Sequence, residues 1–188
     1  GKTYTLKETS APYGYEITEE IEFTVTTDKE TQKVEMKDMP ILKNVKVIKV
    51  DSETKEIIKD RFTFAIYEDQ ECTKLIKEVQ SNKEDGTAIF EDLRYGTYYI
   101  KETKAPTDYK LSNKIVKVEI NDKGIFVDDK QMEEKDDTVE FTFENKKIEV
   151  PKTGDDSNIK LFAGIGLLSL LGATYIIIRN HKKNKKDK

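Results

Sequence analysis

The sequence predicts an all-β, Ig-like sandwich for most of the chain, followed by a single C-terminal transmembrane helix. Apolar and polar residues alternate in several short segments before position 150, as in half-buried strands. Turn-forming pairs such as Asp85-Gly86 and Tyr95-Gly96 separate these segments. The apolar run at 159–178 is long enough, as a helix, to cross a bilayer core of about 30 Å.

The alternating segments define one complete sandwich unit, which we place at residues 41–147. The predicted strands are at residues 45–50, 62–67, 88–90, 98–102, 115–120 and 139–145. The segment 75–79 could pass for a helical turn, but its β-branched content favours a strand. The acidic stretch 121–137 lacks the EF-hand pattern, and we interpret it as a solvated hairpin rather than a calcium loop.

An internal repeat indicates a second, partial unit at the start of the chain. Residues 4–15 match residues 98–109 at seven of twelve positions, with an offset of 94. Because the first copy lies so near the start, we expect residues 1–40 to be the C-terminal half of a truncated domain. Pro40 marks the junction between the two units.

The composition argues against several classes of function. Cys72 is the only cysteine, so no internal disulfide can form, and His181 is the only histidine. Ser-His-Asp and Cys-His catalytic sets and histidine metal sites are therefore excluded, and we expect no enzyme with turnover, no metal and no cofactor. The basic tail adjoins an apolar run and the rest of the chain is acidic, which argues against nucleic acid as a partner.

Three predicted strands each have one polar residue in their apolar phase. Side chains two positions apart share one face of a strand, so Lys49, Glu102 and Asn145 are expected to face inward. The partial unit repeats the pattern with Glu8 and Asp38. A frayed strand end would explain any one of these residues. It explains poorly three residues of complementary chemistry, two of which have counterparts in the other unit.

Such an inward set has chemical consequences. Buried ionisable groups cost several kcal/mol unless they are paired or neutralised. Burial lowers the pKa of an amine and raises that of a carboxyl group. A neutral amine beside a protonated carboxyl group and a carboxamide is a reactive set. The pattern therefore predicts one self-directed reaction in the core.

The segment 98–106 resembles the E-box of Cna B-type, SpaA-like pilin and adhesin domains. Its residues are Tyr98, Tyr99, Ile100, Lys101, Glu102, Thr103, Lys104, Ala105 and Pro106. Lys49-Val50-Asp51 is similar to the first-strand lysine motif of this family, and Phe143-Glu144-Asn145-Lys146 is similar to its last-strand asparagine motif.

The resemblance implies an intramolecular isopeptide bond between Lys49 and Asn145, with Glu102 assisting. In the partial unit, Glu8 and Asp38 match the corresponding positions, and the partner lysine would lie upstream of this sequence. An aspartate in place of the asparagine would lose water rather than ammonia.

A five-residue motif precedes the apolar run, with a spacer up to residue 158 between them. The motif is Val150, Pro151, Lys152, Thr153 and Gly154. Pro151 keeps Val150 out of the helical region, so the motif is expected to be an extended peptide. The basic tail at 179–188 follows the run and is expected to stay in the cytoplasm.

Motif, spacer, span and tail together resemble the LPxTG cell-wall sorting signal of Gram-positive surface proteins, with Val150 in place of leucine. The resemblance implies that a sortase cysteine attacks the Thr153 carbonyl and breaks the Thr153–Gly154 bond. Thr153 would then pass to an amine of the peptidoglycan precursor or of a pilin lysine. The protein would be secreted and covalently attached to the cell wall, with only transient anchoring in the membrane.

The sequence thus predicts a wall-anchored surface protein or pilin subunit whose sandwich is a stalk module. The alternatives are a ligand-binding adhesin domain and a permanently membrane-anchored single-pass protein. Other pilin subunits or a host ligand are further candidate partners. The sequence has no start methionine and no signal peptide, so we expect it to be the C-terminal piece of a longer precursor.

Overall fold

The computed structural model describes residues 1–27 and 30–149. The strands are β1 (Thr3–Leu6), β2 (Tyr15–Glu16), β3 (Ile21–Thr24), β4 (Met39–Pro40), β5 (Lys43–Asp51), β6 (Thr63–Tyr67), β7 (Leu75–Gln80), β8 (Thr87–Leu93), β9 (Gly96–Lys104), β10 (Ile115–Asn121), β11 (Gly124–Val127), β12 (Lys130–Gln131) and β13 (Thr138–Asn145). In this part of the chain no helix has the length and apolar character needed to cross a membrane. The predicted sorting motif, span and tail lie outside the described residues.

Strands β5 to β13 form two sheets that enclose one core. The larger sheet has the order β12-β11-β10-β9-β6-β7, and the smaller has the order β13-β5-β8. Neighbouring strands are antiparallel except β13 and β5, which run parallel from the pair Thr138↔Asn44 to the pair Asn145↔Asp51. The predicted all-β, Ig-like fold class is confirmed.

Period-two alternation determines which side of each strand is buried. In β13 every second residue from Val139 to Asn145 is buried, and the residues between them are exposed. Both sheets contribute to the core, which includes Val45, Val47, Phe64, Ile66, Phe90, Ile100, Val118, Phe141 and Phe143. Burial of this apolar surface stabilises the sandwich by about 25 cal/mol per Å² removed from water.

The predicted strands of the complete unit are present. Strands β8 and β9 extend beyond the predicted 88–90 and 98–102, because their ends carry polar residues that hide the alternation. The ambiguous segment 75–79 lies in β7, so its interpretation as a strand is confirmed.

The acidic stretch 121–137 contains the predicted hairpin, but it is not solvated on both faces. Strand β11 pairs with β10 and with β12, which extends the larger sheet. Ile125 is fully buried and Val127 is 9% exposed, and both belong to the core. The prediction of a solvated hairpin was therefore wrong for this face, because the surrounding carboxylates masked a two-residue apolar alternation.

Residues 1–40 repeat part of this architecture. Strand β1 pairs antiparallel with β3, as β9 pairs with β10. The Ile41 amide donates a hydrogen bond to the Gly14 carbonyl at 2.9 Å, and the Ile148 amide donates one to the Asp108 carbonyl at 2.7 Å. Gly14 and Asp108 are related by the repeat offset, so the chain leaves both units at equivalent points.

The two units also contact each other directly. The rings of Tyr13 and Tyr95 meet edge to face, with centroids 5.3 Å apart. Arg94 Nη1 donates a long hydrogen bond of 3.5 Å to the Tyr15 hydroxyl. Gly14 has a φ of +81°, a left-handed conformation that favours glycine, and a Cβ atom there would be in ordinary van der Waals contact with Tyr95 Cβ at 3.4 Å. The turn before β9 therefore packs on the partial unit.

Gly86 is required by the turn before β8. Its φ is +69°, and a Cβ atom there would lie 2.6 Å from Ile57 Cγ2 and 2.6 Å from the Ile58 carbonyl oxygen. We expect Gly86→Ala to lower the free energy of unfolding by roughly 2–4 kcal/mol, because backbone strain adds to the displacement of neighbours. Chemical denaturation measures this change.

Gly96→Ala is the matched control for this prediction. Gly96 does not have a left-handed φ, and the nearest atom to its added Cβ would be the Tyr98 hydroxyl oxygen at 3.4 Å. We expect a change of less than about 1 kcal/mol. Equal losses in the two variants would contradict the steric argument.

Candidate cross-linking site

Lys49, Glu102 and Asn145 meet in the core of the complete unit. Lys49 lies near the end of β5, Asn145 is the last residue of the neighbouring β13, and Glu102 lies in β9 of the opposite sheet. Their exposed fractions are 0%, 0% and 1%. The inward phase predicted for these residues is confirmed, and the packing of the two sheets brings them together.

The Glu102 carboxylate contacts both partners. The amine of Lys49 forms an ion pair with Glu102 Oε1. Asn145 Nδ2 donates hydrogen bonds to Oε1 at 3.0 Å and to Oε2 at 2.8 Å. One carboxylate thus bridges an amine and a carboxamide, which places it where it can move protons between them.

Two atoms of this cluster are buried without a hydrogen bond. Lys49 Nζ is close to Glu102 Oε1, but it is not aligned for a hydrogen bond with any acceptor, and Asn145 Oδ1 has no donor. A buried acceptor without a donor, such as Asn145 Oδ1, costs about 1–3 kcal/mol, which the rest of the fold has to offset.

Aromatic rings surround the amine. Lys49 Nζ lies 4.2 Å from the ring centroid of Phe143, 4.6 Å from that of Phe64 and 5.4 Å from that of Phe62. Burial lowers the pKa of Lys49 to about 8, and the Glu102 carboxylate opposes this change. At pH 7 roughly a tenth of the amine is then neutral and nucleophilic.

Two main-chain groups complete the site. The Ser112 amide donates to Glu102 Oε2 at 2.8 Å, and the Lys110 carbonyl accepts from Asn145 Nδ2 at 2.9 Å. The sequence analysis identified neither residue, because a main-chain hydrogen bond does not require a particular side chain. The ten-residue spacing from Glu102 to Ser112 could have identified one of them, because it recurs in the partial unit.

In the partial unit, Glu8 and Asp38 are both half-buried. The Thr18 amide donates to Glu8 Oε2 at 2.8 Å, which repeats the contact between Ser112 and Glu102. No hydrogen bond or ion pair joins Glu8 to Asp38 within the described ranges. The structure therefore places Glu8 like Glu102 but does not bring Glu8 and Asp38 into direct contact.

The other predicted site residues, Val150, Pro151, Lys152, Thr153 and Gly154, lie outside the described residues. In the part of the chain that the structure describes, no group of three or more His, Cys, Asp or Glu residues could hold a metal ion.

Two family models match the chain. The model of the SpaA prealbumin-like fold domain matches residues 1–40 and 43–136, and the model of the LPXTG cell wall anchor motif matches residues 144–185. The protein belongs to the family of SpaA prealbumin-like fold domains. It is a surface protein that is anchored covalently to the cell wall, and both resemblances in the sequence are confirmed. A search of curated proteins finds no match.

Several solved structures are similar to this chain. The TIE protein of Bacillus anthracis is 26% identical with a TM-score of 0.57, and the match covers 78% of this chain and 25% of that protein. BcpA, the major pilin subunit of Bacillus cereus, is 25% identical with a TM-score of 0.43, covering 57% of this chain and 31% of BcpA. The chain thus spans about a quarter of the length of the TIE protein, and that match supports the sandwich fold.

Without a bond between Lys49 and Asn145, the free energy of unfolding should depend on pH through the Lys49 amine. Its folded pKa of about 8 lies below the 10.5 of a free lysine, so the unfolded chain binds more protons between these values. The free energy of unfolding should therefore rise as the pH increases from about 8 to about 10.5. One pKa unit corresponds to about 1.4 kcal/mol, so the full gain is roughly 3 kcal/mol.

The variant Asn145→Ala isolates this state, because it retains the amine and Glu102 but removes the acceptor carboxamide. Urea denaturation should show its free energy of unfolding rising with pH, relative to the double variant Lys49→Met/Asn145→Ala. The exposed lysines titrate in both variants, so their contribution drops out of the difference between the two free energies of unfolding. A difference between the two that does not change with pH would contradict the lowered pKa.

Proposed function

We propose that the sandwich is a stalk module of this wall-anchored protein, stabilised by an isopeptide bond between Lys49 and Asn145. The observation that supports this most strongly is the contact of one buried carboxylate, Glu102, with both the amine and the carboxamide. The module performs this reaction once, on itself, and has no turnover.

In the proposed reaction, Lys49 Nζ first gives a proton to Glu102 and then attacks the side-chain carbonyl carbon of Asn145. A bond from this carbon to Nζ forms, and its bond to Nδ2 breaks. Glu102 passes two of the three Nζ protons to Nδ2, which leaves as ammonium, and the third proton stays on the new amide. The carboxylate is regenerated, so no further reagent is required.

The bond would change how the module bears tension. Strands β5 and β13 are adjacent and parallel, so the two chain ends of the unit lie at opposite ends of this pair. Tension would follow β5 to Lys49, cross the amide bond and leave at Asn145. The residues from 50 to 144 would then lie outside the load path. By analogy with a disulfide that closes a loop of about 100 residues, the bond would add up to about 5 kcal/mol of stability.

Intact mass spectrometry of the purified chain tests the bond. We expect a mass below that of the sequence by one ammonia. Glu102→Gln and Lys49→Met should each restore the full mass and lower the melting temperature, because they remove the proton carrier or the nucleophile.

Asn145→Asp is the matched control for this experiment. It should lose one water instead of one ammonia, since a carboxyl group leaves its hydroxyl where the carboxamide leaves its amine. An unmodified mass for the folded parent chain would refute the cross-link.

We further propose that sortase joins Thr153 to the cell wall or to a pilin lysine, and that the residues after Thr153 are lost. The match of residues 144–185 to the anchor model supports this proposal. Other pilin subunits are a further class of partner if the acceptor amine is a pilin lysine.

Mass spectrometry of wall-released protein tests the sorting step. We expect a C-terminal peptide that ends at Thr153 and is linked to a wall or pilin fragment. Pro151→Ala should reduce wall attachment, because a proline favours an extended conformation at the residue before it. A mature protein that retains residues 159–178 would instead support a permanent membrane anchor.

A further inference from the structure

Residues 109–112, which we call the strap, lie in the connection between β9 and β10. The Lys110 carbonyl accepts a hydrogen bond from Asn145 Nδ2 at 2.9 Å, and the Ser112 amide donates one to Glu102 Oε2 at 2.8 Å. We propose that the strap is a positioning element, which orients the carboxamide and the carboxylate for the attack by Lys49. This inference rests on the proposed cross-linking function.

The Lys110 carbonyl determines which way the carboxamide points. A carbonyl oxygen can only accept a hydrogen bond, so it attracts Nδ2 of Asn145 and repels Oδ1. Nδ2 thereby stays between the strap and Glu102, where it can receive protons. As Nδ2 becomes positively charged and leaves, the hydrogen bond to the Lys110 carbonyl strengthens, because charged donors form stronger hydrogen bonds.

The Ser112 amide fixes the orientation of the Glu102 carboxylate. It occupies Glu102 Oε2, while Oε1 forms the ion pair with Lys49. A carboxylate without this contact could rotate about its terminal torsion, for which side chains have broad preferences. The amide of Ser112 therefore keeps one oxygen directed at the nucleophile.

The strap is fixed to the two strands that hold the reacting side chains. The Tyr109 hydroxyl donates to Asp51 Oδ2 at 2.9 Å, and Asp51 follows Lys49 by two residues in β5. The Lys110 amide donates to the carbonyl of Lys146, the residue after Asn145, at 2.9 Å. Any shift of the strap would thus be coupled to the positions of the nucleophile and the acceptor.

The partial unit gives an independent observation. The Thr18 amide holds Glu8 Oε2 at the same distance and with the same ten-residue separation as Ser112 and Glu102. The side chain at this position differs between the units, but the main-chain contact is the same. The contact is therefore a feature of the connection and not of one serine.

The rate of cross-linking tests the inference. The full chain is synthesised in a cell-free reaction, and the fraction that has lost one ammonia is followed over time by intact mass spectrometry. Protease resistance of the same samples gives the folded fraction, so that the rate is expressed per folded molecule. Ser112→Pro removes the amide donor, and we expect a rate roughly 10- to 100-fold lower, from the loss of a hydrogen bond to a charged group.

Ser112→Ala is the conservative control, because it keeps the main-chain amide and loses only the hydroxyl, which accepts from the Lys114 amide at 3.2 Å. It should react within about twofold of the parent, whereas a role of the serine side chain would slow both variants. Tyr109→Phe removes only the bond to Asp51 and should slow the reaction by roughly fivefold. If Ser112→Pro does not fold, the cross-linking rate of Tyr109→Phe is the measurement that tests the strap.

The outcomes separate the two proposals. A folded parent chain that never loses ammonia would refute the cross-link itself. A parent that loses ammonia, with folded Ser112→Pro reacting at the parental rate, would overturn only the positioning role of the strap. If Ser112→Pro does not fold, the parental rate in Tyr109→Phe would overturn it.

Discussion

The burial of the Lys49 amine between two sheets is the constraint on which this module depends. An ammonium group removed from water costs several kcal/mol even when it is paired. The Phe143 and Phe64 rings and the Glu102 carboxylate offset part of this cost, but no acceptor is aligned with Nζ. The core therefore gives up stability by holding this amine against Glu102, whose carboxylate also contacts the Asn145 carboxamide. Conversion of the amine to an amide would remove the buried ammonium charge, whereas the carbonyl oxygen of Asn145 would remain an acceptor in the new amide.

The strand order gives this local chemistry a mechanical consequence. Because β5 and β13 are parallel neighbours, a bond between Lys49 and Asn145 would join the first strand of the unit directly to the strand from which the chain leaves it. At the junction between the units, the rings of Tyr13 and Tyr95 are in contact. The chain leaves both units at equivalent points, Ile41 and Ile148. A series of such units would transmit tension through short strand segments and amide bonds rather than through sheet pairing.

Much of this site could be predicted from the sequence because strand phase is a local property. A period of two assigns Lys49, Glu102 and Asn145 to the inner face without knowledge of any partner strand. The parallel pairing of β5 with β13 could not be predicted, because it joins segments far apart in sequence and has no turn signal. The role of the Lys110 carbonyl could not be predicted for a different reason: every residue has a main-chain carbonyl, so the sequence does not single this one out. The inner face of the β11 hairpin was missed because only Ile125 and Val127 mark it among many carboxylates.

A comparison of the two copies of the repeat shows that the position of the glutamate carboxylate does not depend on a lysine amine beside it. Glu102 has a lysine against it, whereas among the described residues no lysine amine forms an ion pair with Glu8. Both carboxylates nevertheless accept a main-chain hydrogen bond of 2.8 Å from the residue ten positions later. The orientation of the carboxylate is thus set by the backbone of the connection that follows the E-box. A group fixed in this way would not have to reorganise during the proposed reaction, which is the condition under which a buried carboxylate assists most effectively.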